Sequence, residues 1–324
     1  MRYVMGWGTL VSVSVIAGAP FFETRAFADA TVGAEAAGQP LREPDPSWQV
    51  NTSLSAGRYS IGSVTPNAST DGLALNLEFR LRRYFAPLRD DAAPYSLQPF
   101  LQRASSWSLT LDGGHFSTRN PFGGQDRTDW NGGVSGAVDA YVRRWLILNG
   151  GFGYGFSALR DVGVDQSTHT INGFVDVGLR VADTRIDAWY GLTALETAGS
   201  FAPARQRFGA TAFTAIARRF TLGVSGASIP SGVEGSASLE YYATRELGIF
   251  GGTFAGRGKL YSTDAVPTRY AGWVGLAGWI DPTVGVSGQY ELTVENFAAQ
   301  PGGPSDHNVT HTITLEVFAR FDQM

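Results

Sequence analysis

The sequence contains no cysteine. That absence excludes disulfides, thiolate metal centres and a lipid-modified cysteine anchor together. It leaves export open, because a closed ladder of backbone hydrogen bonds needs no staple. Charge is scarce as well. Only 17% of residues are Asp, Glu, Lys or Arg, against roughly 25% in soluble domains. With a net charge of −4 and no basic run to track phosphate, nucleic acid is not an expected partner. Beyond the N-terminal segment there is no uninterrupted apolar run of about 18 residues, so no membrane helix is expected. Glycine is abundant, with 41 residues, and aromatics make up 12% of a 324-residue chain. That length suits two soluble domains or one large all-β barrel.

Residues 1–28 read as a cleavable signal peptide. Arg2 is the positive start, Leu10, Val11, Val13, Val15 and Ile16 lie at the apolar centre, and Ala26-Phe27-Ala28 is a small-x-small cleavage site. Glu23 and Arg25 end the apolar stretch early, which disfavours an uncleaved anchor and sets the expected mature start at Asp29. Residues 29–47, with Pro40, Pro44 and Pro46, carry no apolar period and read as a flexible periplasmic lead-in. Residues 48–324 are expected to form a single domain.

From Trp48 onward, apolar and polar residues alternate in segment after segment, the period of a strand. Leu73, Leu75, Leu77, Phe79 and Leu81 share one face, while Asn76, Glu78, Arg80 and Arg82 fill the other. Val284, Val286, Tyr290, Leu292 and Val294 oppose Thr283, Ser287, Gln289, Glu291 and Thr293. Ile313, Leu315, Val317, Ala319 and Phe321 oppose Thr312, Thr314, Glu316 and Arg320, with Phe318 an apolar intruder on the polar side. The segments predict about 14 strands, with 12 the alternative: 49–60, 73–85, 105–116, 129–143, 145–158, 168–182, 185–197, 207–217, 220–229, 233–243, 247–259, 268–280, 283–295 and 308–321.

Tight breaks near Arg143, Asp183, Arg218, Arg245 and Pro282 alternate with longer polar stretches over 62–72, 118–128, 161–167, 198–206, 261–267 and 296–306. Short turns at one end and long loops at the other are the asymmetry of outer-membrane barrels. Two places depart from it. Pro230-Ser231-Gly232 is short where a long loop is expected. Residues 86–103, with Pro87, Pro94 and Pro99, are long where a tight turn is expected and read as a periplasmic excursion.

Alternation alone does not distinguish a soluble sandwich from a membrane barrel. The export signal, the unequal loops and aromatics gathered at the turn side favour the membrane. Those aromatics are Tyr84, Phe85, Tyr141, Trp145, Phe220, Tyr241, Tyr242, Trp279 and Phe321, read as a headgroup girdle. On this pattern, from about Trp48 to the end, the chain resembles bacterial outer-membrane β-barrel proteins of porin-like type. The resemblance implies an all-β, transmembrane, antiparallel up-and-down barrel in the outer membrane. It also implies lipid as surroundings, the barrel-assembly machinery as a partner and small solutes as cargo. Such proteins commonly end in an aromatic residue; here Asp322-Gln323-Met324 follow Phe321.

The polar face would line the interior: Glu78, Arg80, Arg82, Asp112, Asp139, Asp176, Arg180, Asp187, Glu240, Glu291, Glu316 and Arg320. Both signs are present, so no ion preference follows. Gly151, Gly153 and Gly155 on one face would leave interior space or allow sharp coiling, and about 14 strands implies a narrow or partly plugged lumen. The expected function is a passive pore or channel for small solutes. A structural or partner-binding barrel with a filled interior is the second reading, and a barrel enzyme the third.

No catalytic or cofactor signature stands out. His307 and His311, four apart, would share a strand face as a metal pair or simply be solvated at the rim. Ser117 and His115 would align, but Asp112 would point to the opposite face, which breaks a triad. The glycines near Phe152 precede no helix, so no helix N-terminus is available to hold phosphate. The oligomeric state is not legible in the sequence.

Overall fold

The computed structural model describes residues 47–62, 70–89, 93–118, 127–161, 164–197, 200–229, 232–258, 268–297 and 306–321. The expected signal peptide, nearly all of the lead-in and most of the longest loops lie outside them. Fourteen antiparallel strands close into one barrel: β1 (Trp48–Gly62), β2 (Thr70–Tyr84), β3 (Ser106–Thr118), β4 (Arg127–Tyr141), β5 (Leu146–Asp161), β6 (Val164–Val181) and β7 (Thr184–Thr197), then β8 (Ser200–Ile216), β9 (Phe220–Ile229), β10 (Gly232–Tyr242), β11 (Leu247–Arg257), β12 (Thr268–Trp279), β13 (Val284–Phe297) and β14 (Asp306–Phe321). Each strand pairs with its neighbours in sequence. Closure comes from β1 on β14, in register from Trp48 opposite Phe321 to Gly62 opposite His307. The closed ring has no edge strand, which a hydrocarbon surrounding demands.

The alternation sorts inside out. On β14, Leu315 and Val317 are 61% and 53% exposed, while Glu316 between them is 5% exposed. Leu73, Leu75, Leu77 and Phe79 on β2, Val175, Val177 and Leu179 on β6, and Leu276 on β12 are likewise exposed. An apolar outer face around a polar interior is stable only where the surrounding solvent is itself apolar.

Two expected loops are strands instead. β5 and β6 continue until Asp161 faces Val164, and β7 and β8 until Thr197 faces Ser200. In the second hairpin a register shift between Thr193 and Leu195 leaves Pro203 and Ala204 against Ala194. A bulge is where a strand tolerates a residue that cannot donate to the ladder. That proline made the segment read as a loop.

The largest correction concerns residues 86–103. The described ones, 86–89 and 93–103, do not leave the barrel but turn into its mouth at the short-turn end, where Leu88, Ala93, Tyr95, Leu97, Phe100 and Leu101 are all buried. Pro94 opens a 3-10 turn over Tyr95–Leu97, and Pro99 starts a helical turn over Gln98–Leu101. In these first-turn positions proline's missing donor costs nothing. Arg103, at a positive φ of 51°, ends the turn, and Gln102 ties back to Arg89 through its side-chain amide.

Candidate functional site: the lumen and its plug

The segment between β2 and β3 reaches across the mouth to the far wall. The Phe100 ring packs edge-on against Phe213 of β8, centroids 4.8 Å apart, and Tyr95 lies 5.6 Å from Trp279 of β12. Trp279 in turn meets Phe318 of β14 at 4.5 Å. Ala93, Leu97, Phe100 and Leu101 share one buried cluster with Phe213, Ala215 and Tyr242, so the plug rests on an apolar seat inside an otherwise polar barrel. Burying such side chains contributes roughly 1.5–3 kcal/mol each.

Three arginines fix the plug's backbone. Arg180 of β6 donates to the Phe100 carbonyl at 2.6 Å and lies 4.0 Å over the Phe100 ring. Arg320 of β14 donates to the Tyr95 carbonyl at 2.9 Å, to Gln98 Oε1 at 3.2 Å and to Gln49 Oε1 at 3.2 Å. Arg245, in the turn after β10, donates to the Ala93 carbonyl at 3.2 Å, while the Tyr95 amide donates to the Arg245 carbonyl at 3.1 Å. Desolvation in this seat lowers the Arg245 pKa from its ordinary value. Carbonyls along the plug thus receive charged donors, which outweigh neutral ones.

This explains a second correction. Tyr84, Tyr242 and Trp279 are not in a headgroup girdle; they are 2%, 3% and 7% exposed and face inward. Adjacent strand residues point to opposite faces, so Tyr241 can meet Phe220 in an aromatic pair (4.9 Å) while Tyr242 meets the plug. Trp145 and Phe85 do remain exposed at this end, and Trp48 packs on Trp107 at 5.9 Å.

Above the plug, the inward face is a set of short ion pairs. Glu78 and Arg80 are paired at 2.9 Å, two residues apart on β2. Arg185 joins Asp187 at 2.8 Å and Asp139 at 3.1 Å. Arg207 pairs with Glu234, and Arg269 with Glu295 at 2.5 Å. Glu316 accepts from Asn51 at 2.7 Å and from Ser287 at 3.1 Å, and Glu291 accepts from Thr293 at 3.0 Å. Arg82 and Asp112 are half-buried on the inward side of β2 and β3, and Glu240 is buried beside Gly248. Asp176 is 2% exposed and faces Asn149 of β5. Of the twelve residues expected on this face, Arg180 and Arg320 grip the plug and the other ten lie on the wall.

Arg185, Arg207, Glu234, Arg269 and Glu295 belong to the same face but fell at the ends of predicted strands. The i, i+2 spacing of Arg185 and Asp187 was the signal that could have found the first. Of the three glycines expected to leave space, a Cβ on Gly151 would lie 2.7 Å from Cε1 of Phe174, whereas one on Gly155 would have only the Gly132 carbonyl oxygen near it, at 3.7 Å. On β8, a Cβ on Gly209 would lie 2.8 Å from Cζ2 of Trp189, so that glycine makes room for the ring. Gly209→Ala pushes the Trp189 ring off its wall, with an expected loss of about 1–3 kcal/mol by overpacking, measurable as a lowered midpoint of urea unfolding from detergent or bilayer.

His115 and Ser117 face outward and Asp112 inward, in the divergent arrangement expected. Among the described residues no group of three or more His, Asp or Glu is placed to hold a metal ion. His311 instead meets Tyr290.

No protein-family model matches the chain, and no curated protein matches it in sequence. Solved structures do match in fold. A mutant of the monoaromatic hydrocarbon channel TodX superimposes with a TM-score of 0.58 at 8% identity, over 85% of this chain and 91% of that one. A FadL homologue of Pseudomonas aeruginosa gives 0.55 at 9% identity, over 85% and 90%. The toluene transporter TodX of P. putida gives 0.52 at 8% identity, over 87% and 92%. The chain therefore has the fold of bacterial outer-membrane β-barrels: a closed barrel of 14 antiparallel strands, apolar outside and polar within.

Proposed function

We propose that the protein is an outer-membrane channel for small solutes whose short-turn mouth is closed at rest by the segment between β2 and β3. The observation that carries this reading is the plug itself. A barrel meant only as a filled scaffold has no need of an apolar seat and three arginine clamps at one mouth above which the wall is polar. The matched channels for hydrocarbons support transport as the use of this fold. Lipid surrounds the barrel, the barrel-assembly machinery inserts it, and the lead-in and short turns face the periplasm. Export by removal of residues 1–28 is part of the proposal. Fractionation should find a chain beginning at Asp29 in the outer membrane, and a product that stays soluble without detergent would refute it.

Lumen electrostatics favours cations. Arg80, Arg185, Arg207 and Arg269 are each neutralised by a carboxylate, and Arg180 and Arg320 are committed to the plug. Outside these ion pairs the inward wall carries Arg82 against Asp112, Asp176 and Glu291. In a planar bilayer under a KCl gradient, the reversal potential should have the sign of cation preference. An anion-selective current would contradict this lining, and no current from either the intact or the plug-deleted protein would contradict the channel.

A further inference from the structure

The plug accounts for the inward-facing rings at the short-turn end, but not for three that stand higher on β11 and β12. Phe250 and Phe254 of β11 and Trp273 of β12 share the inward face of Trp279 and are half-buried. Trp273 lies six residues along β12 from Trp279, Phe250 faces Gly275 at four residues, and Phe254 faces Ala271 at eight. Steps of two residues are about 7 Å each, so the rings form a stair from the plug seat towards the long-loop end. Glycine lets them rest against the wall. A Cβ on Gly252 would lie 2.7 Å from Cε2 of Trp273, and one on Gly256 would lie 3.0 Å from Cζ of Phe254.

Trp189 on β7 shows how this wall combines a ring with charge. Arg207 lies over it, 6.0 Å from the ring centroid, and is itself paired with Glu234. Trp273 has a carboxylate across from it as well, that of Glu291 on β13. The Glu291 oxygens accept from Thr293 at 3.0 Å and from Gln289 at 3.5 Å, and Thr312 of β14 stands on its other side. All of these neighbours are neutral. Among the described residues, neither Glu291 nor Trp273 meets a basic side chain. Arg269, four residues from Trp273 on the same strand, is paired with Glu295.

We infer that Trp273, Phe254 and Glu291 form a lumen site for organic cations built on an apolar or aromatic body. An ammonium group over an indole face is held by the ring quadrupole, most strongly where water is displaced. The Glu291 carboxylate adds the opposite charge, and the neighbouring phenyl ring covers the apolar body. An inorganic cation has no such body for the rings to cover, so the stair selects by shape and charge together.

The inference deepens the channel reading and takes its purpose from it, but its test reads binding and not current. Full-length protein in phosphatidylcholine bilayer discs is titrated calorimetrically with benzyltrimethylammonium, benzyl alcohol and benzoate, with protein-free discs as the blank. The ammonium should bind roughly tenfold or more tighter than the other two, the scale of a desolvated cation–π contact joined to a charge pair. Trp273→Ala should weaken it about tenfold. Glu291→Gln should weaken it about fivefold and leave the alcohol unchanged. Trp145→Ala, on the lipid face, should change neither. Heat-modifiable gel mobility verifies that each variant is folded. No binding, equal affinity for the three, a preference for the alcohol or the anion, or an unchanged affinity in a folded lumen variant would overturn the site. If Trp273→Ala fails to fold, Glu291→Gln alone decides. Binding without current would contradict the channel and leave the site standing, and current without binding would do the reverse.

Discussion

Deleting residues 87–103 and joining Ala86 to Ala104 through a short glycine linker should raise single-channel conductance on the order of tenfold while the barrel still assembles. The deletion removes the one chain segment seen crossing the lumen among the described residues, and the walls of a 14-strand barrel stand far enough apart to leave an aqueous path once nothing fills it. Assembly survives because all fourteen strand pairings are between wall strands. The cost is the newly wetted apolar seat of Phe213, Ala215 and Trp279. A milder version is Arg320→Met. It removes the donors to Tyr95 and Gln98 and should give brief openings of the size seen in the deletion. If deletion leaves the current unchanged, the segment does not close the lumen.

The second large effect lies on the wall. A basic charge at the bilayer midplane on the lipid face costs roughly 2–4 kcal/mol, so Leu315→Arg should lower the stability of the folded barrel by about that amount or block assembly. Glu316→Gln, one residue away, keeps an acceptor for Asn51 or Ser287 and leaves the outer surface untouched. It should change stability by less than about 1 kcal/mol. Urea titrations of the two variants in the same bilayer make the comparison. A damaging Glu316→Gln beside a harmless Leu315→Arg would mean the faces are reversed.

The wall was legible because its physics is local. Period-two alternation reveals a strand wherever one face is lipid and the other polar, so Leu73 to Leu81 and Ile313 to Phe321 declared themselves without tertiary information. Inward placement of Glu78, Asp139 and Glu316 followed from parity alone. The plug was not legible. Residues 86–103 have no period, and three prolines in a row of small turns look the same in solvent as inside a barrel. Phe318 was the clue: an apolar residue on a polar face needs an apolar partner, and Tyr242 and Trp279 repeated the signal on β10 and β12. Read as members of a girdle, they hid the seat they form. The hairpin at Thr197 and Ser200 was missed for another reason, since a proline at a bulge and a proline in a loop are the same residue in sequence.

The most direct test of the inside-out barrel is a spin-label scan of positions 312–317 on β14 in a lipid bilayer. Collision with dissolved oxygen, which concentrates in hydrocarbon, should peak at 313, 315 and 317. Collision with a water-soluble nickel chelate should be low at those three, which project outward into lipid. The opposite phase, with nickel contact at 313, 315 and 317, would put water on the apolar face and contradict a membrane barrel.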